Sequence, residues 1–316
     1  MGKSGKKNKK QTADVKEAAS KDPNNSSKKN VRNKPNNKTN WQNVMLAKIG
    51  VLGTAFLISV VALIFSTSSE QQPVFASAKE GHEKLVAEIP CSKDYVSEPF
   101  KGCIPSQCKR VVLDHMVTTD EAKSLLLLAK KGLAFGGSDG GASILDLHSG
   151  ALSKGNSFVD IFKMLGSKFS EVFTKEDFQI YKRVKEKVFQ AIINEFNIPH
   201  TDLYLTKPTF FSRMTPKPAK TIHDEYWHLH IDKKTYGTFH YTSLLYLTTY
   251  GKDFTGGRFT FVDKDKNSTV EPKLGRVSFF TSGSENPHFV EKVSSGERYA
   301  ITISFTCDPT KAIKIQ

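Results

Sequence analysis

Short β-rich runs follow one another after Ile198, and they constrain the fold of this 316-residue chain most strongly. Seven runs occur, with breaks that contain Gly, Pro, Asn or Asp between them: PTFFSRM, YWHLHID, TFHYTSLLYLT, GRFTFV, GRVSFFT, HFVEKV and RYAITISF. Branched and aromatic residues favour strands, and turns at intervals of about eight to twelve residues are typical of an all-β sandwich or barrel. Residues 199–310 are therefore predicted to form a β-rich core.

The preceding residues 110–198 are predicted to be a mainly helical support for that core. Thr118 or Thr119 can cap a helix over TDEAKSLLLLAKKG. A second helix is predicted from about Lys175 to Phe196, because apolar residues recur there at three- and four-residue steps. Helices followed by strands indicate an α+β fold, a double-stranded β-helix (jelly roll) buttressed by N-terminal helices.

The N-terminal residues 1–43 are predicted to be a disordered basic tail. Residues 1–48 hold thirteen lysine or arginine residues against three acidic ones, so most of the net charge of +14 lies there. The first forty residues have no aromatic side chain, and they cannot bury enough apolar surface to offset the entropy of ordering. The absence of aromatic residues among the lysines also argues against specific nucleic-acid binding.

An uncharged stretch from Ile49 to Phe65 is predicted to cross a membrane. At about 1.5 Å per helical residue its length reaches roughly 26 Å, and extension to residue 44 gives a signal-anchor helix over residues 44–65. Lysines crowd only its N-terminal side, so the positive-inside rule places the tail in the cytosol. We therefore expect a single-pass type II membrane protein whose domain lies in the lumen of the endoplasmic reticulum or Golgi.

The cysteines and one sequon lie on the predicted luminal side. An even number of cysteines in an oxidising compartment indicates two disulfides, with three pairings open: Cys91, Cys103, Cys108 and Cys307. A bridge from Cys307 would join the predicted stalk, residues 66–109, to the end of the domain. Asn267 begins an Asn-Ser-Thr sequon in a polar run between two strands, where a glycan is expected.

Three residues near the C-terminus are predicted to form a metal centre. His230 and Asp232 lie in HLHID and His288 lies in a later run; two histidines and one carboxylate can occupy one face of Fe(II). Because a strand alternates its faces, His228 is expected to point the same way as His230 and Asp232. Arg298, ten residues after His288, offers a cation to the far carboxylate of a metal-bound keto acid.

These residues lie in motifs that resemble the prolyl 4-hydroxylase and hypoxia-factor prolyl hydroxylase branch of the Fe(II)/2-oxoglutarate-dependent dioxygenases. The resemblance covers roughly residues 110–310 and is most specific in HLHID, FTGGRFTF, EPKLGRVSFF and NPHFVEKVSSGERYAITISF. It implies that the two histidines and the aspartate bind iron, and that Arg298 and Tyr246 hold 2-oxoglutarate. His228 is an addition to the family's His-x-Asp pattern, and support of a ligand, substrate contact and packing are all open roles for it.

The resemblance also implies an activity. A luminal protein or peptide would be hydroxylated with consumption of O2, release of succinate and CO2, and ascorbate as accompanying reductant. Peptidyl proline is the substrate class of the similar branch, although nothing in the sequence itself indicates recognition of a proline.

Two other functions stay open at the level of sequence. His228, His230 and Asp232 resemble the start of the zinc hydrolase motif of metallo-β-lactamases, but Lys233 stands where that motif continues with histidine. The other alternative is a catalytically weak luminal binding module on the oxygenase fold. The presence of all three ligands and of Arg298 argues against a loss of iron binding.

Overall fold

The computed structural model describes residues 73–220 and 228–313, together with Met45 and Lys48. Apart from those two residues, the predicted tail and signal-anchor helix lie outside the described residues and stay predictions. Within the described part, no helix is both long and apolar enough to cross a lipid bilayer.

The described residues contain sixteen strands in three sheets. In chain order they are β1 (Val74–Ala76), β2 (Leu85–Ile89), β3 (Cys108–Leu113), β4 (Gly137–Ser138), β5 (Ala142–Leu145), β6 (Ala151–Gly155), β7 (Ser157–Asp160), β8 (Tyr204–Met214), β9 (Tyr241–Tyr246), β10 (Phe254–Gly256), β11 (Phe259–Phe261), β12 (Ser268–Val270), β13 (Val277–Thr281), β14 (His288–Val290), β15 (Val293–Gly296) and β16 (Arg298–Thr306).

The largest sheet has ten strands in the order β2-β3-β13-β9-β16-β8-β5-β6-β4, with β7 paired to β6. A smaller sheet has the order β1-β12-β11-β14, and β10 pairs with β15. All these pairs are antiparallel except β4 with β6 and β1 with β12. The predicted mixed fold of helices and antiparallel sheet is confirmed.

The ten-stranded and four-stranded sheets pack face to face through aromatic rings. Phe259 and Phe261 of β11 lie against Phe280 of β13, with ring centroids 5.6 and 5.1 Å apart. His288, the first residue of β14, packs on the same rings, 4.9 Å from Phe259 and 5.1 Å from Phe280. One predicted metal ligand therefore lies where the two sheets meet.

Five α-helices are described, and the two long ones are those that the sequence predicts: α1 (Thr119–Leu133), α2 (Ile161–Leu165), α3 (Phe169–Val172), α4 (Lys175–Phe196) and α5 (Asp232–Tyr236). Thr118 caps α1 in a capping box with Glu121, and Thr174 caps α4 in the same way. The ring of Tyr181 in α4 lies 5.1 Å from that of Phe211 in β8. The long helices α1 and α4 thus cover the face of the large sheet that points away from the small one.

Two predicted segments contain more β-structure than expected. Residues 137–160, inside the predicted helical region, form strands β4 to β7, which are too short and too rich in Gly and Ser to give a clear pattern. The prediction of a stalk over residues 66–109 is wrong for its described part. Strands β1, β2 and β3 pair there with the sheets, and β3 lies beside β13, a partner far away in the sequence.

The predicted pair of disulfides is confirmed, and the structure selects one of the three pairings. Cys91 is bonded to Cys108, and Cys103 is bonded to Cys307. The second bond joins the segment before β3 to the residue that follows β16, as expected for a bridge to the end of the domain.

Replacement of Glu121 by Gln is expected to destabilise the fold by about 2 kcal/mol at neutral pH. The buried carboxylate accepts hydrogen bonds from Arg183 Nε at 3.0 Å, Lys187 Nζ at 2.8 Å and the Thr118 N–H at 2.9 Å. Burial alone would raise the pKa of Glu121, but the bonds from Lys187, Thr118 and Arg183 outweigh it and hold the pKa at about 2.

The pH dependence of this effect follows from the sign of that shift. A carboxyl pKa lower in the folded than in the unfolded chain adds stability above its ordinary value of 4.5, and this is lost as the pH falls toward 2. Urea unfolding of wild type and Glu121→Gln at pH 7 and pH 3 should therefore show a smaller difference at pH 3. An equal difference at both pH values would contradict this account.

Candidate metal centre

The HLHID segment bends instead of forming the predicted strand. His230 makes an isolated antiparallel bridge with His288, and each backbone N–H donates to the carbonyl of the other at 3.0 Å. Helix α5 begins two residues later, at Asp232. The expectation of one strand face carrying three ligands is therefore wrong, because the backbone leaves the extended conformation at Asp232.

The bend nevertheless brings the three predicted ligands together. Nε2 of His230 and Nε2 of His288 each lie 3.6 Å from Oδ1 of Asp232. Among the described residues, this is the sole group of three His, Cys, Asp or Glu side chains whose ligand atoms all lie within 4.8 Å of one another. Ligands about 2.1 Å from one ion lie roughly 3 Å apart at right angles, so a single cation fits this cluster after a small contraction.

Backbone carbonyls set the orientation of both histidine rings. Nδ1 of His230 lies 2.9 Å from the carbonyl oxygen of His228, and Nδ1 of His288 lies 2.8 Å from that of Asn286. A carbonyl only accepts, so each Nδ1 carries a proton, and each Nε2 is the nitrogen directed toward Asp232. Burial lowers the pKa of His288 to about 4, which favours the neutral ring that a metal requires.

Hydroxyl groups orient the carboxylate of Asp232, which is 4% exposed. Thr242 Oγ1 donates to Oδ2 of Asp232 at 2.6 Å, and it lies 2.8 Å from Ser282 Oγ. Because Oδ2 is engaged by this bond, Oδ1 is the oxygen that faces the two histidines. Thr242 was not predicted from the sequence; its place in β9, with alternate side chains facing the site, was the available signal.

Arg110 supports the second histidine from behind. This buried residue of β3 donates from Nε to Oδ1 of Asn286 at 2.6 Å, and from Nη1 and Nη2 to the carboxylate of Asp263 at 2.8 and 2.6 Å. Its guanidinium carbon lies 4.2 Å from the ring centroid of Phe261. Since Asn286 supplies the carbonyl that orients His288, Arg110 supports a predicted metal ligand through the side chain of Asn286. No local pattern in the sequence indicated this role.

Arg298, at the start of β16, presents a buried guanidinium to the same interior. Its Nε donates to the carbonyl of Gly257 at 2.8 Å, and its Nη1 lies 3.8 Å from the sulfur of Met214. Nη2 is buried and has no hydrogen-bond partner in the part of the chain that the structure describes. Burial lowers the pKa of Arg298 to about 10, so the group stays charged at neutral pH. An unpaired buried cation is costly, and the site therefore favours an anionic ligand.

A cleft between the two facing sheets contains both the metal cluster and Arg298. Its other walls come from alternate residues of the central strands and from the small sheet. They include the apolar Phe210, Met214, Leu244, Phe259 and Val290, and the hydroxyl-bearing Ser212, Thr242 and Thr302. The cleft thus has a cation-binding cluster, an anion-binding group and mainly apolar walls between them.

The remaining predicted site residues lie outside this cluster. The Tyr246 hydroxyl lies 3.1 Å from Ser278 Oγ, and its ring centroid lies 5.5 Å from the guanidinium carbon of Arg298. His228 is exposed and supports His230 through its carbonyl, so its ring does not join the ligands as the zinc hydrolase alternative requires. Asn267 is half-buried just before β12, between two strands as predicted, and its glycosylation stays a prediction.

Comparison with known proteins agrees with the site. Residues 211–306 match the family model of the 2OG-Fe(II) oxygenase superfamily. The Xenopus tropicalis protein named 2-oxoglutarate and iron-dependent oxygenase domain-containing protein 3 is 50% identical over 284 residues, which is 89% of each chain. The human protein of that name is 51% identical over 279 residues, 87% of this chain and 86% of the human one. This chain belongs to the family of 2-oxoglutarate- and Fe(II)-dependent oxygenases.

More distant similarities extend to prolyl hydroxylases. Mouse prolyl 3-hydroxylase 1 is 28% identical to this oxygenase over 221 residues, 64% of this chain and 29% of the mouse protein. A solved Trichoplax adhaerens prolyl hydroxylase, in complex with a hypoxia-inducible factor peptide fragment, superposes with a TM-score of 0.45 at 16% identity. That superposition covers 66% of this chain and 87% of that one.

The residues present fit the groups that the family uses. Two histidines with Nε2 directed toward one oriented carboxylate match the Fe(II) ligand set that leaves further coordination positions open. The partnerless Nη2 of Arg298 matches the far carboxylate of 2-oxoglutarate. The family thus implies Fe(II), 2-oxoglutarate and O2, and the cleft of this oxygenase has suitable groups for the metal and the keto acid.

Replacement of Tyr246 by Phe is expected to weaken 2-oxoglutarate binding by about fivefold, the equivalent of one neutral hydrogen bond. The ring that packs on Arg298 is retained, and the hydroxyl already has Ser278 as a partner. The measurement is the KM for 2-oxoglutarate, with Tyr204→Phe as control because the Tyr204 hydroxyl bonds a carbonyl at the surface. A rise in KM as large as that expected for removal of the Arg298 side chain would mean that the Tyr246 hydroxyl makes a direct, charge-assisted contact with 2-oxoglutarate.

Proposed function

We propose that this chain is a membrane-anchored dioxygenase on a jelly-roll fold that hydroxylates a luminal substrate and releases succinate and CO2. One observation carries the proposal: a single cleft holds the cluster of His230, Asp232 and His288 together with the buried, partnerless Nη2 of Arg298. A metal-bound keto acid needs both features at once, a metal for one end and a cation for the other.

When bound, Fe(II), 2-oxoglutarate and O2 supply the oxidation, in which one oxygen atom enters a substrate C–H bond and the other enters succinate. The chain's own residues bind and orient these groups. The two histidines and Asp232 would hold the metal, and the guanidinium of Arg298 would hold the far carboxylate of the keto acid. The buried Phe210, Leu244 and Phe259 keep water away from the reacting atoms.

Peptidyl proline is the proposed substrate class, and ascorbate the proposed reductant. The support for proline is the similarity to proteins named prolyl 3-hydroxylase, together with the resemblance of the motifs to prolyl 4-hydroxylases. The carbon that is hydroxylated is left to product analysis, because the two groups of relatives differ in this respect.

A luminal location is proposed for the domain. The predicted helix of residues 44–65, uncharged from Ile49 to Phe65 and preceded by a lysine-rich tail, supports a type II membrane topology. Two disulfides in the folded domain agree with an oxidising compartment.

The deciding experiment measures succinate formed by the purified full-length chain with Fe(II), ascorbate, labelled 2-oxoglutarate and a library of proline-containing peptides. Succinate formation that rises with a peptide, and a peptide mass increased by one oxygen atom, are expected. Thermal stabilisation by Fe(II) plus 2-oxoglutarate is measured in parallel. Stabilisation without any turnover would favour the binding-module alternative. The absence of both stabilisation and turnover would refute the proposal.

A further inference from the structure

The segment from Cys91 to Cys108, called the collar here, is closed and anchored by both disulfides. Cys91 and Cys108 join its two ends, and Cys103 is bonded to Cys307 after β16. Tyr95 lies near its start and is only 3% exposed. The collar is therefore an ordered part of the domain, fixed by two covalent bonds.

The collar holds the backbone that leads to His288. Tyr95 Oη donates to Oε1 of Glu285 at 2.8 Å and accepts from the N–H of Gly283 at 2.6 Å. Asp94 Oδ2 accepts from the N–H of Ser284 at 2.6 Å. These contacts fix residues 283–285, which lie directly before the Asn286 carbonyl that orients the ring of His288.

The collar also holds the residue that follows Asp232. The Glu98 carboxylate pairs with Lys233 Nζ, which lies 5.4 Å from the ring centroid of Tyr95. The N–H of Lys233 donates to the carbonyl of Ser282 at 2.9 Å, so the two ligand-bearing segments are also bonded to each other. Tyr95 and Glu98 thus contact both segments from one side.

A buried histidine links Glu98 to the second disulfide. His240 is 2% exposed; its Nε2 pairs with Glu98, and its Nδ1 lies 3.1 Å from the backbone nitrogen of Cys307 and 3.2 Å from the carbonyl oxygen of Thr238. The disulfide at Cys307 therefore stands at the end of a bonded path that runs through His240 and Glu98 to Lys233, beside Asp232.

We propose that Tyr95 and Glu98 are positioning residues for the metal ligands, and that the Cys103–Cys307 disulfide makes metal affinity depend on an oxidised collar. This inference rests on the proposed function, since it concerns the same metal cluster. Residues that hydrogen-bond directly to metal ligands alter affinity by about 10- to 100-fold. The collar acts one bond further out, and so a smaller effect of about fivefold is expected for each contact.

The test measures the dissociation constant of Mn(II), a redox-stable probe, by electron paramagnetic resonance on the full-length chain. Tyr95→Phe and Glu98→Gln should each weaken Mn(II) binding by about fivefold. Tyr204→Phe, which removes a surface hydroxyl bonded to the Thr201 carbonyl, should leave it unchanged. All titrations are made well below the melting temperature, where a purely structural effect lowers Tm but leaves the dissociation constant unchanged.

The disulfide is tested by the double substitution Cys103→Ser with Cys307→Ser, which should weaken Mn(II) binding at least as much as Tyr95→Phe. If that variant does not fold, the Mn(II) affinities of Tyr95→Phe and Glu98→Gln decide whether the collar positions the ligands. Mn(II) binding equal to wild type in both Tyr95→Phe and Glu98→Gln would overturn the inference. A wild-type chain that binds no Mn(II) would instead count against the proposed function itself.

Discussion

Replacing His288 with alanine should abolish turnover and weaken Mn(II) binding by more than about 100-fold. Loss of residues that merely support a metal ligand costs about 10- to 100-fold, and loss of a ligand itself exceeds that range. The ring is buried, its Nδ1 is engaged by the Asn286 carbonyl, and its Nε2 lies 3.6 Å from Oδ1 of Asp232. No other described His, Cys, Asp or Glu forms such a cluster that could replace it.

The matched control is His115→Ala, which removes an exposed histidine outside the cleft. Its Mn(II) affinity and succinate formation should equal those of wild type. Far-ultraviolet circular dichroism should show that both variants are folded. Retention of wild-type Mn(II) affinity by folded His288→Ala would mean that the cluster is not the metal site.

Replacing Arg298 with alanine should raise the KM for 2-oxoglutarate by about 150- to 4,000-fold. Removal of one partner of a buried ion pair costs about 3–5 kcal/mol, because the remaining charge is left without its counter-ion. Arg298 is 1% exposed, and in the part of the chain that the structure describes its Nη2 has no partner that would compete for the co-substrate. Mn(II) affinity without the keto acid should change little, since the guanidinium does not belong to the metal cluster.

Two further variants define the role of the guanidinium. Arg298→Lys keeps the positive charge but loses the planar fork, and a smaller rise in KM of about tenfold is expected. Arg213→Ala is the control. Arg213 lies in β8 opposite Tyr299, the residue that follows Arg298 in β16, and its removal should leave the KM for 2-oxoglutarate unchanged. An unaltered KM in Arg298→Ala would place the far carboxylate elsewhere.

The sequence predicted which side chains would lie close together but not the backbone that brings them there. Binding of Fe(II) and a keto acid requires particular side chains, and two histidines, one aspartate and a later arginine can be recognised from residue type alone. A strand over HLHID was expected, yet the segment has a single bridge to His288 and turns into helix α5 at Asp232. The exposed His228 then contributes a carbonyl in place of a ring, which side-chain alternation could not predict.

The long helices were predictable for a local reason. Thr118 with Glu121 and Thr174 with Asp177 form caps within three residues, and the apolar period of α4 lies within one segment. Strand β3 carries no comparable signal, because what stabilises it is pairing with β13, far away in the chain. The same non-local pairing brings Arg110 to Asn286, and neighbouring residues in the sequence therefore could not predict the role of Arg110.

By itself, the sequence determined the cap and period of the long helices, the β-rich core, the four site residues and the even number of cysteines. Only the tertiary structure decided the disulfide pairing, the tautomers of the two histidines and the partnerless state of Arg298 Nη2 within the described chain. Composition and local pattern depend on neighbours in the chain. Hydrogen-bond partners and burial depend on residues that meet only after the sheets have paired.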